Sequence, residues 1–102
     1  MAREVVWTEV AADDLKETWE YIAHDSLMYA ATFVQDVRDV SHSLDQSSER
    51  GRVVPELGAP DIRELIIGNY RLIYQVTPNV VFILRLIHGA RQLPEGGRRP
   101  GN

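Results

Sequence analysis

The sequence has no cysteine among its 102 residues, a single lysine (Lys16), and no apolar stretch approaching the length of a bilayer span. Each absence excludes something. Without cysteine there is no disulfide framework, no thiol nucleophile and no cysteine-built zinc site. Without roughly 20 consecutive apolar residues no segment reads as a transmembrane helix, and the opening MAREVVWTEV has no basic stretch followed by a long apolar run, so a cytoplasmic location is expected. What remains is ordinary for a globular chain, with 44% apolar and 25% charged residues. The length predicts one domain, taken as residues 1–93, with a flexible C-terminal tail at 94–102 that is rich in glycine and proline.

Charge is divided along the chain. Residues 9–49 hold ten acids against Lys16 and Arg38, whereas from residue 50 onward eight arginines meet four acids. A net charge of −4 argues against nonspecific nucleic-acid binding over the whole surface. It leaves room for one basic face on an acidic body.

The run Val5-Val6-Trp7 reads as a short strand, and Thr8 as the cap of a helix in which Leu15, Trp19 and Ile22 recur at helical spacing up to about His24. Asp13, Asp14, Glu17 and Glu20 then face water, and no histidine joins them, so no metal site is indicated. Asp25-Ser26 supplies a turn and a new cap, and Phe33, Val37, Val40 and Leu44 stripe a second helix. So brief a join predicts an antiparallel helical hairpin.

After a loop from Gln46 to Pro60, with a short strand expected near Arg52 to Val54, the period changes. DIRELII (61–67), YRLIYQV (70–76) and VVFILRLI (80–87) are rich in β-branched and aromatic residues, and Gly68-Asn69 is a two-residue hairpin signal. That turn pairs Ile67 with Tyr70, Leu65 with Leu72 and Arg63 with Tyr74, and places Leu65, Ile67, Tyr70, Leu72, Tyr74 and Val76 on one face. The opposite face holds Ile62, Glu64, Ile66, Arg71, Ile73 and Gln75, too polar for a core and too apolar for plain exposure, and reads as a binding surface. The second turn, Thr77-Pro78-Asn79, allows loops of two or three residues with opposite parities. With three, Phe82, Leu84 and Leu86 join the core and Arg85 lies beside Arg71 on the open face.

VVWTEVAADDLKETWEYIAHDS, IRELIIGNYRLIYQV and VVFILRLIHGARQL, in that order across Val5 to Leu93, resemble the RelE/ParE family of type II toxin–antitoxin toxins. The resemblance implies an α+β fold, with an N-terminal strand and a helical hairpin packed on one face of an antiparallel sheet. It also implies a cognate antitoxin whose C-terminal segment wraps the toxin. RelE-like members cleave messenger RNA on the ribosome with sheet cations and a C-terminal tyrosine; ParE-like members inhibit DNA gyrase. Arg71 and Arg91 match family arginines, but the RelE-like lysine positions fall on Ile62 and Glu64, and the tyrosine position on Gly97. Phosphodiester cleavage without a metal needs that charge, so the ParE-like reading is preferred.

The expectations are therefore a growth-arresting toxin that binds gyrase through Arg71, Arg85 and Arg91, and an antitoxin held by Ile62, Ile66, Ile73 and Arg71. Neither a cofactor nor sequence-specific DNA binding by the toxin alone is expected. Arg71, Arg91 and His88 are the candidates should the chain be a ribonuclease, and a non-toxic antitoxin-binding module is a third reading. Trp7 and Trp19 are expected in the core.

Overall fold

The computed structural model describes residues 2–91, so the expected tail at 94–102 lies outside the described residues. Chain order begins with strand β1 (Glu4–Trp7) and helices α1 (Glu9–Asp25) and α2 (Leu27–Ser43). Four strands follow: β2 (Arg52–Val53), β3 (Ile62–Ile67), β4 (Tyr70–Val76) and β5 (Val80–His88). Thr8 caps α1 as its position suggests. Its hydroxyl accepts from the Ala11 amide at 3.1 Å and donates to the Ile83 carbonyl at 2.9 Å, which ties the start of the helix to the last strand. Ser26 alone separates the two helices and caps the second, accepting from the Tyr29 amide at 3.0 Å.

The five strands form one sheet in the order β1-β5-β4-β3-β2. β3, β4 and β5 make an antiparallel meander, and β1 pairs in parallel with β5, from Glu4 opposite Val80 to Trp7 opposite Ile83. The sheet is thus mixed. Two helices packed on one of its faces give the expected α+β fold. The β3–β4 register is as read from the turn, with Ile67 opposite Tyr70 and Arg63 opposite Tyr74. Gly68 has φ +59 and no other residue of that turn is left-handed, as a type II′ hairpin requires.

Both parities considered for the second hairpin occur. Val76 pairs with Val81 and Tyr74 with Ile83, which a two-residue Pro78-Asn79 loop dictates; then Ile73 pairs with Arg85, leaving Leu84 as an extra residue. This bulge shifts the strand by one, so Val81, Ile83 and Leu86 all reach the helical side. The expectation of Phe82 and Leu84 in that core is corrected on the same ground. Arg85 stands opposite Ile73, and Arg71 opposite Ile87, so the two arginines are not neighbours.

The main core lies between helices and sheet: Ala11, Ile22, Ala30, Phe33, Val37 and Leu44 meet Ile67, Leu72, Tyr74, Val81, Ile83 and Leu86. On α1 the buried positions are Ala11, Thr18 and Ile22. Trp19, expected in the core, is 38% exposed and stands at the edge of the stripe; Trp7 packs against the core as expected. A second, smaller cluster occupies the other face. There Val54, Ile73 and Ile87 are buried at 0%, 2% and 4% exposure, with Leu57, Ile62 and Leu84 packed around them. Each such side chain contributes roughly 1.5–3 kcal/mol when removed from water, enough to hold the connecting loop down on the sheet.

Candidate functional site

The face expected to lie open is covered by the chain itself. Arg71 is 6% exposed and Glu64 1%, and the loop after β2 carries Glu56 over them. The guanidinium of Arg71 has its donors committed. Nε reaches Glu64 Oε1 at 2.7 Å, Nη1 reaches Glu56 Oε2 at 2.8 Å and the Arg91 carbonyl at 3.1 Å, and Nη2 lies 2.8 Å from Glu56 Oε1 and 2.6 Å from Glu64 Oε1. All five N–H groups of an arginine are thereby accounted for. Glu64 is shared, since its Oε2 accepts from Arg52 Nε at 2.7 Å. The result is a chain Arg52–Glu64–Arg71–Glu56 whose formal charges sum to zero. The hydrogen bonds that Arg71 donates to Glu56, opposed in part by burial and reinforced by Glu64, push its pKa upward, so the group is a fixed cation.

These contacts correct the expectations for the face. Arg71 points into a carboxylate cradle because the alternation that carries it away from the helices delivers it beneath the 54–60 loop. Ile73 is sealed under the same loop and Ile62 is half-buried beside it, whereas Ile66 remains 60% exposed. Arg85 reaches α1, where Asp14 accepts from its Nε at 2.7 Å and from the Leu86 amide at 3.0 Å, beyond the point where β1 ends. Hydrogen bonding to Asp14 raises the Arg85 pKa despite partial burial. Arg91 and His88 are exposed. His88 Nδ1 accepts from the Ala90 amide at 3.2 Å, and its ring meets Tyr70 edge-on at 5.3 Å.

What stays accessible there is a cleft of about 390 Å³ lined by Arg52, Pro55, Glu56, Ile66, Arg71 and Gly89. It brings Ile66 and the turn that carries Arg91 to one end of the sheet. It does not bring in Arg85, which belongs to the opposite contact with α1. Sequence reasoning missed Glu56, whose only signal was a lone acid between two prolines in an arginine-rich half. Among the described residues no cluster of histidine, aspartate and glutamate could hold a metal ion, and no helix is long and apolar enough to cross a membrane.

Two helices on one face of a mixed sheet, with a buried arginine clamped by acids on the other, define a small α+β protein. The fold is similar to that of a chain from a solved structure described as a chromosomal ParDE toxin–antitoxin system from P. aeruginosa, at 24% sequence identity and a TM-score of 0.70 over 85% of this chain and 96% of that one. No curated relative matches. Residues 5–93 match the family of the ParE toxin of the type II toxin–antitoxin system parDE. The chain belongs to that family.

Proposed function

We propose that this protein is a ParE-type toxin that arrests growth by binding and inhibiting DNA gyrase in the cytoplasm, and that a cognate antitoxin neutralises it. The observation that carries the choice of target is the state of Arg71. A ribonuclease needs a cation free to stabilise charge on the cleaved phosphate, and such a group is typically worth ~10²-fold or more. Here the central guanidinium is already saturated by Glu56 and Glu64, and an approaching phosphate meets the Glu56 carboxylate at the mouth of the cleft. Inhibition by docking needs no such group. Exposed Arg91 and Ile66 are the parts of the expected contact set that a target or an antitoxin could reach without unfolding the loop.

The test is a supercoiling assay with purified protein and gyrase, run beside a translating extract monitored for cut messenger RNA. Loss of supercoiling with intact message is the expected outcome. Intact supercoiling with cut message would transfer the protein to the ribonuclease class, and activity in neither assay alongside a tight antitoxin complex would make it a binding module only.

A further inference from the structure

The corner where α1 passes into α2 is unlike the rest of the helical surface. Tyr21, Leu27, Met28 and Tyr29 are exposed there at 74%, 68%, 81% and 55%. Between that corner and the β3–β4 turn lies a cavity of about 180 Å³ lined by Tyr21, Tyr29 and Tyr70 together with Asp25, Ser26 and Asn69. Tyr70 is fixed from behind, its ring 5.1 Å from Phe33 and 5.3 Å from His88. An open hollow beside it adds Glu20 and His24 to Tyr21 and Asp25. The Asp25 side chain is 89% exposed and stands 3.6 Å from His24 Nδ1. Among the described residues no lysine or arginine lines either hollow, and α1 carries six acids against Lys16.

We propose that this three-tyrosine cleft is a binding site for one arginine side chain of a protein partner, presented on a segment whose neighbouring aliphatic side chains rest on Leu27 and Met28. Aromatic faces attract a guanidinium through their quadrupole, and Arg is the cation most often found on them. The carboxylate of Asp25, the Ser26 hydroxyl and the Asn69 side-chain oxygen supply acceptors for its N–H groups. The size fits a side chain: pockets for drug-sized ligands begin at about 300 Å³, and this one is smaller. The field fits as well, because the acidic helix raises the local concentration of cations and steers them to the corner. The site lies on the helical side of the molecule, away from the Arg71 cleft, and the inference is independent of which enzyme the toxin inhibits.

The experiment titrates the whole protein, with ring-labelled tyrosine, using the peptide acetyl-Leu-Arg-Leu-Leu-amide and its counterpart with neutral citrulline in place of arginine. Saturable NMR shifts of Tyr21, Tyr29 and Tyr70 are expected, with the citrulline peptide about tenfold weaker, in line with the strength of a partly desolvated cation–π contact. Tyr29→Leu and Asp25→Asn should each weaken the arginine peptide several-fold; both side chains are exposed, and circular dichroism verifies that the fold is kept. Equal affinity for the two peptides, shifts confined to other residues, or no binding would each overturn the proposal. So would a dimer in sedimentation that Tyr29→Leu abolishes, since the corner would then be meeting another copy of the chain.

Discussion

Replacing Arg71 by methionine isolates the acid–arginine chain beneath the 54–60 loop. The substitution leaves Glu64, whose side chain is 0% exposed, with Arg52 as its remaining ionic partner, and leaves Glu56 at 15% exposure beside an apolar side chain. Removing one member of a buried pair costs about 3–5 kcal/mol, most of it the penalty of stranding the other charge. Arg52 still grips Glu64, and water can reach Glu56, so the lower end, about 3 kcal/mol, is expected. For a domain of this size that lowers the melting temperature by roughly 12–24 °C. The double change Arg71→Met with Glu64→Leu removes both the cation and the buried acid, and should recover most of the loss, because well-packed apolar groups commonly match a buried ion pair. Urea unfolding followed by circular dichroism measures both. A single-variant cost below about 1 kcal/mol, or a double variant less stable than the single, would refute the view that Glu64 depends on Arg71. It follows that lost toxicity in an Arg71 variant has to be read against its stability before it is assigned to a missing target contact.

Gly51→Ala should destabilise by about 1–3 kcal/mol, since overpacking a closed site forces backbone movement. A methyl group there would stand 2.5 Å from the Glu64 carbonyl oxygen and 2.6 Å from the Tyr74 hydroxyl; a melting temperature equal to that of the parent would show that β2 can shift freely. Burial pushes the Tyr74 phenol above its ordinary range, and burial with Tyr21 and Tyr29 nearby does the same to Tyr70. The sign follows from the unfolded chain ionising first: stability is intact below about pH 10 and falls as pH rises through the elevated folded values. Tyr74→Phe should lose the 2.9 Å bond from the Gly51 amide at neutral pH yet show a smaller alkaline loss, and an unchanged loss between pH 8 and 11 would contradict it.

The helices, their caps and the β3–β4 register were legible because local rules set them: Thr8 and Ser26 cap by their own side chains, and Gly68-Asn69 fixes every pairing of its hairpin. The bulge at Leu84 was not. Its signal is a change of parity in the middle of an unbroken apolar run, where either register buries a plausible set of side chains. Trp19 was misplaced because period alone does not say which of two adjacent positions faces the sheet, and Thr18 took the inner one. The covered face was the largest miss. Val54, Glu56 and Leu57 are scattered apolar and acidic residues in a proline-containing loop, and only tertiary folding puts Glu56 against an arginine 15 residues away. In the candidate site, arginine positions could be named from the resemblance, but their engagement depended on partners that no spacing rule connects.

The parallel union of residues 4–7 with 80–83 has a bearing on biosynthesis. Nothing in the first three quarters of the polypeptide can satisfy the edge that β1 presents, and contacts of such long sequence separation are slow to form. The finished architecture therefore exists only once the ribosome has delivered the last strand. A nascent or prematurely stopped product lacks its closing seam, so the outermost strand of the sheet is left without its neighbour until synthesis is almost done.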